Sequence, residues 1–242
     1  METLVKSYIQ ILKELNVRSF NLQEDKYSGV FLPVPSDEYW RSTVKIMLVG
    51  RETSGWNTLT GKNTISRILG LIPNVTTEQA IEEAIARYRQ HLTRALNLKS
   101  RSRFIQYHFR LASELNMAPQ AIVYANLLAW DYDRLTPLTR PENEVQEVIS
   151  ASLKLLATQI RYLEPDFIIF ASGARRTDYI IKQLLTGLGG YETSSVIPGK
   201  LWEFKVGNSI CFRIAHPRAM RGHQEFRGMV IKRIKEVCDQ GK

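Results

Sequence analysis

Val44-Lys45-Ile46-Met47-Leu48-Val49-Gly50, running into Arg51-Glu52-Thr53-Ser54-Gly55-Trp56, decides how this chain is read. An apolar run of that length ending on glycine is a strand buried on both faces as it enters a turn. Two more runs repeat the pattern. Ala121-Ile122-Val123-Tyr124-Ala125-Asn126-Leu127-Leu128 is a second strand, and Asp166-Phe167-Ile168-Ile169-Phe170-Ala171, closed by Ser172-Gly173, is a third. Trp202–Val206 and Ser209–Ala215 flank Gly207-Asn208, a two-residue hairpin signal. Between these pieces the apolar spacing turns helical: over 3–16, with Leu4, Tyr8, Ile11, Leu12 and Leu15 on one face, then over 78–96, 101–116, 142–163, 174–186 and 224–238. Thr76 or Thr77 is placed to cap the helix that starts near Glu78. Strands alternating with helices predict an α/β fold with a parallel sheet covered on both faces. Ligands of such sheets bind beyond the carboxyl ends of the strands. The segments that matter are therefore Gly50–Trp56, Asn126–Asp133, Ser172–Arg176 and His216–Arg221.

The rest of the chain narrows the class. With no repeat, low-complexity tract or Gly/Ser linker, its 242 residues read as one domain over 1–242. Residues 1–43 form an N-terminal helix and lead-in, and 44–236 the α/β core. A composition 44% hydrophobic and 24% charged excludes global disorder. No apolar run approaches the ~20 residues of a membrane span, and the N-terminus lacks the basic and apolar regions of a signal peptide. Cys211 and Cys238 are too few for a disulfide framework or an iron–sulfur cluster. The expectation is a cytoplasmic monomer without membrane association. Its net charge of +9 and pI near 9.6 favour a polyanionic partner. Arg213, Arg218, Arg221, Arg227, Lys232, Arg233 and Lys235 crowd together with Glu225 the single acid among them, and Lys99, Arg101 and Arg103 form a second cluster. Two such patches suggest a track for a nucleic-acid backbone, although Lys232–Lys235 also fits a solvated helix face.

At the strand ends the usual nucleotide signatures fail. GxGxxG is absent after Val49, five residues rather than four separate Gly55 from Gly61-Lys62, and Asn63 stands where Ser or Thr belongs. What remains is Glu52 in a glycine-flanked turn and, beside it, Trp56, a flat surface suited to stacking a base. Glu52 also fits a helix-terminal carboxylate or a partner for Arg51, and Trp56 a core or lid aromatic. Asn126, polar within an apolar run, offers an amide able to read a pyrimidine edge or to bond a neighbouring loop. His216-Pro217 ends the last strand, where a neutral imidazole N–H can stabilise a departing anion or simply cap the strand. Arg218, Met220 and Arg221 follow, the methionine suited to wedging into a base step. Cys211, His216 and His223 match no metal-ligand spacing, so neither metal nor cofactor is expected. His91 and His108 fall in helices with no chemical role assigned.

Four elements in this order resemble the uracil-DNA glycosylase superfamily. They are Val49-Gly50-Arg51-Glu52, Val123-Tyr124-Ala125-Asn126, Pro165-Asp166-Phe167-Ile168-Ile169 with Gly173, and Ala215-His216-Pro217. The resemblance covers about 44–236 and implies a three-layer α/β/α sandwich whose four-stranded parallel sheet runs in the order 2-1-3-4. It implies a monofunctional DNA glycosylase that flips out a pyrimidine, with Glu52 positioning water, His216 stabilising the leaving base and Asn126 reading its edge. Gly50, Arg51, Ser54, Trp56, Arg218, Met220 and Arg221 line the substrate in this reading. The chain departs from the family where a Pro and a bulky, 5-substituent-excluding Tyr are usual: here stand Thr53 and Ser54, then Gly55. That departure points to a modified pyrimidine, such as glucosylated hydroxymethylcytosine, in repair or in bacterial defence against phage. The alternatives are a catalytically silent nucleic-acid-binding module on the same fold, or a hydrolase of free nucleotides or nucleosides.

Overall fold

The computed structural model describes residues 1–56, 64–96, 100, 102–219 and 222–240. Its helices are α1 (Glu2–Lys13), α2 (Asp37–Arg41), α3 (Ile65–Ile68), α4 (Thr77–Leu96), α5 (Arg103–Glu114), α6 (Glu142–Leu163), α7 (Asp178–Gly187) and α8 (Gln224–Gln240). Its strands are β1 (Ile46–Gly50), β2 (Ile122–Asn126), β3 (Phe167–Phe170), β4 (Glu192–Ile197), β5 (Leu201–Val206) and β6 (Ser209–Ile214). Contacts divide the chain expected as one domain into two compact units, each assembled from three separate segments. The first comprises Met1–Val34, Glu52–His91 and Asn126–Tyr162; the second comprises Pro35–Arg51, Leu92–Ala125 and Leu163–Lys242.

In the second unit the sheet runs β2-β1-β3-β6-β5-β4. β1 pairs parallel with β3 and β3 with β6, Val49 opposite Phe170 and Phe170 opposite Arg213. Every residue of β1 and β3 is buried, as strands covered on both faces must be. The α/β class holds, but the sheet is six-stranded and mixed rather than four-stranded and parallel. β5 returns antiparallel from β6 through Gly207-Asn208, with Gly207 at φ 53° as a two-residue hairpin turn demands. β4 then adds an exposed edge. Glu192-Thr193-Ser194-Ser195-Val196-Ile197 has neither an apolar run nor an alternation, because an edge strand with both faces wet needs none. The parallel strands end in register, so Gly50, Phe170 and Ile214 lie at one edge of the sheet.

In the first unit α1 buries Leu4, Tyr8 and Leu12, one stripe of a 3.6-residue period, and the Tyr8 hydroxyl donates to the Pro33 carbonyl at 2.6 Å. The start of α4 is a capping box. The Gln79 N–H donates to Thr76 Oγ1 at 3.2 Å, and the Thr76 N–H donates back to Gln79 Oε1 at 3.0 Å. No described helix is long and apolar enough to cross a membrane.

Candidate active site

In the second unit His216 stands two residues past β6, beyond the buried Ala215. The Arg218 backbone N–H donates to His216 Nδ1 at 3.2 Å. An Nδ1 that accepts leaves the proton of the neutral ring on Nε2. Burial, then the positive charges of Arg51, Arg218 and Arg227, push the imidazole pKa down to about 4. The ring is therefore a neutral Nε2–H donor at pH 7, the form suited to meeting negative charge as it develops. Arg227, 6% exposed, fixes this turn from α8 by donating through Nη2 to the His216 carbonyl at 3.1 Å and to the Ala219 carbonyl. Gly173 (φ 91°) adjoins this turn, with the position of a Cβ on it 3.9 Å from the His216 backbone nitrogen. An NMR titration of the His216 ring nitrogens is expected to show the Nε2–H tautomer throughout pH 6–8 and protonation only near pH 4. Because the folded pKa lies below the unfolded ~6.5, His216 erodes stability as pH falls from that value towards 4 and has no such effect above it. A midpoint at 6 or higher contradicts this electrostatic picture.

Arginines of the expected backbone track divide into two kinds. Arg213 is 3% exposed and forms a forked ion pair with Asp178 at the start of α7, Nε to Oδ1 at 2.9 Å and Nη2 to Oδ2 at 3.1 Å. A guanidinium in the sheet interior needs that carboxylate, because an unpaired buried charge is too costly. Arg227 is buried as described, and Arg233 pairs with Glu203 at 3.2 Å. These three serve the fold, which corrects the reading of the whole 213–235 segment as a phosphate-binding surface. Arg218 is exposed, with Arg175 and Arg176 exposed in the loop before α7. Arg103 opens α5 with its side chain on Gln106. Met220, Arg221, Lys99 and Arg101 lie outside the described residues.

Glu52 opens a segment of the first unit, one peptide bond after Arg51. It is half-buried, and the loop that carries it is held by Asp131, a residue the sequence reading passed over. Asp131 is fully buried. Its Oδ2 accepts from the Thr53 hydroxyl, from the Gly55 N–H at 2.9 Å and from the Trp56 N–H at 3.4 Å, while Oδ1 accepts from the Arg134 N–H at 2.9 Å. Its own backbone N–H donates to Ser28 Oγ, and its carbonyl accepts from the Ser28 N–H, both at 2.9 Å. The one available signal was an Asp in the apolar context of Leu127-Leu128-Ala129-Trp130, a position that demands several donors. Ser54 is exposed and donates to the Arg134 carbonyl at 3.3 Å. Trp56 is not an open stacking platform. It is 9% exposed, edge-on to Phe31 and to His91, with the Arg87 guanidinium 5.3 Å from its ring centre. Asn126 is the half-buried last residue of β2 and opens the third segment of this unit. Gly50, buried at the end of β1, and Arg51 belong with His216 in the second unit.

No protein-family model and no curated protein matches this chain. The residues themselves carry the functional argument. Among the described residues no cluster of His, Cys, Asp and Glu is placed to hold a metal ion. A groove of about 1130 Å³ opens in the second unit at the amino ends of the strands, lined by Val44, Leu115, Met117, Phe167, Ile210 and Cys238 among others. It lies at the opposite strand ends from His216, and its lining mixes apolar and charged side chains. His108 is buried in α5 with Nε2 at 2.8 Å from the Pro119 carbonyl, a structural histidine.

Proposed function

We propose that this protein is a monofunctional DNA glycosylase that flips out and hydrolytically releases a modified pyrimidine, leaving an abasic site. The observation that carries this reading is the neutral His216 imidazole, its Nε2–H ready at a strand terminus among Arg51, Arg218 and Arg227. Such a donor stabilises a departing base as its anion through a hydrogen bond, without giving up its proton. The surrounding cations suit the phosphates on either side of a flipped nucleotide. In this reading the N-glycosidic bond breaks through an oxocarbenium-like state. Glu52 orients the water and offsets positive charge on the sugar, and Asn126 reads the base edge. The small side chains of Thr53 and Ser54, with Ser54 exposed, support a pyrimidine carrying a 5-substituent over plain uracil. Repair and defence against phage with modified cytosine are the settings that chemistry suits.

The deciding experiment is alkali-revealed strand cleavage of duplexes carrying uracil, a thymine mismatch, hydroxymethylcytosine or its glucosylated form. Abasic sites on at least one of them support the reading, fastest on a 5-substituted base. DNA binding without strand cleavage on any points instead to a silent binding module, and base release from free nucleosides alone to a nucleoside hydrolase. Salt dependence supplies a second check. Replacing the exposed Arg218 with Ala is expected to weaken DNA binding for every sequence and to reduce the slope of log affinity against log salt by about one. The backbone N–H that holds His216 survives this substitution, so an unchanged slope excludes Arg218 from the phosphate contacts.

A further inference from the structure

Of the three arginines between 213 and 235 that serve the fold, two have an acid to meet their charge, Arg213 at Asp178 and Arg233 at Glu203. Arg227 has none. Among the described residues no carboxylate stands at ion-pair distance from it, although it is only 6% exposed. The ionisable groups that act on it are Tyr107 and Arg110, both on α5, and neither neutralises it. Arg110 adds a like charge and directs its own Nε to Glu114 at 2.6 Å. The Tyr107 hydroxyl is buried without a hydrogen-bond partner, and burial pushes its pKa up, so it stays uncharged. Arg227 Nε is likewise buried and unbonded. An uncompensated charge in the interior weakens a fold, and such exceptions gather at functional sites.

What Arg227 does hold is the turn after β6, through Nη2 to the His216 and Ala219 carbonyls. That turn has a closing bond of its own, because the Ala219 N–H donates to the His216 carbonyl at 2.8 Å. The imidazole is oriented separately, by the Arg218 N–H on Nδ1. The guanidinium therefore brings to the turn something that these bonds do not, a positive charge fixed one hydrogen bond from the His216 backbone. Positive charge at that place disfavours a second proton on the ring and favours an anion in front of its Nε2–H; one field does both. Withdrawn from solvent, the field is little weakened by water or salt.

We infer that Arg227 is a positioning residue of the base-release step, a buried cation held against the His216 turn whose missing counter-charge is the negative charge that the departing base takes up at Nε2–H. The inference rests on the glycosylase reading above, in which the glycosidic electron pair leaves with the base. Full-length wild-type protein, Arg227→Met and Arg227→Lys are compared in single-turnover base release from the best-cleaved duplex of the panel, affinity for that duplex, thermal melting and the NMR titration of His216. Arg227→Met is expected to lower base release at saturating protein by about tenfold or more. Its DNA affinity stays within a few-fold, because a buried side chain offers nothing to a phosphate, and its melting temperature stays within a few degrees. Its His216 midpoint rises above about 4 yet stays below the ordinary ~6.5, since burial, the larger cause, remains. Arg227→Lys keeps the charge and can bond both carbonyls, so its rate and midpoint fall between those of the other two. A rate kept within about twofold in Arg227→Met overturns the inference and leaves the glycosylase reading intact. A lowered rate with an unmoved His216 midpoint, or with melting down by more than about 5 °C in both variants, overturns it in favour of a clamp that only supports the fold. Wild-type protein that releases no base from any duplex overturns the glycosylase reading itself, and the role of Arg227 with it.

Discussion

Glu52→Gln and His216→Ala each lower base release on the preferred substrate by ~10²-fold or more, while DNA affinity stays within a few-fold. Glutamine preserves the size of Glu52 but removes the charge that opposes an oxocarbenium-like sugar and one of the two acceptor oxygens that can orient water. It leaves in place the bonds from Thr53, Gly55 and Trp56 to Asp131 that hold the loop. His216→Ala deletes an Nε2–H donor whose tautomer is set by the Arg218 N–H and whose neutrality is set by burial and three arginines. The turn itself remains clasped by Arg227 through the His216 and Ala219 carbonyls, so lost rate reports lost chemistry. Single-turnover excision across the substrate panel, with affinity measured alongside, separates the two quantities. Full activity in both variants would falsify the assignment of these residues.

Asp131→Ala is expected to destabilise the protein by ~3 kcal/mol or more, since a buried carboxylate that accepts several hydrogen bonds leaves stranded donors behind when removed. The Gly55, Trp56 and Arg134 amides and the Thr53 hydroxyl all lose this acceptor. For a chain of this size that corresponds to a fall in melting temperature of about 6–12 °C. Asp131→Asn keeps one acceptor oxygen but turns an amide towards N–H donors, and falls between the two. Urea unfolding at neutral pH measures the difference. A loss within ~0.5 kcal/mol of zero shows that the hub is dispensable and that some other contact orders the Glu52 loop.

Much of the architecture was legible because it is local and periodic. The apolar runs at 46–50, 122–126 and 167–170 are strands; the Gly207-Asn208 hairpin and the helices at 77–96, 103–114, 142–163 and 224–240 lie where spacing and turn chemistry put them. His216 sits just past a buried strand because Ile214 and Ala215 end an apolar run and Pro217 cannot extend it. Burial period, turn residues and caps are properties of neighbours in the chain, and those a single sequence displays.

Which polar groups meet is set by contacts between residues far apart in the chain. Asp131 reaches Thr53 across 78 positions, and Arg213 finds Asp178 across 35. From composition alone Arg213 and Arg227 are indistinguishable from the exposed Arg218, and Trp56 reads equally as a stacking surface and as the core residue it is. A charge count records how many arginines there are, whereas desolvation and pairing decide which of them remain open to a phosphate. The α/β class and the strand-end placement of Glu52, Asn126 and His216 thus belong to the sequence. The neutral state of the imidazole and the buried arginines exist only once the chain has closed around them, because each depends on a dielectric and a set of partners that no local stretch contains.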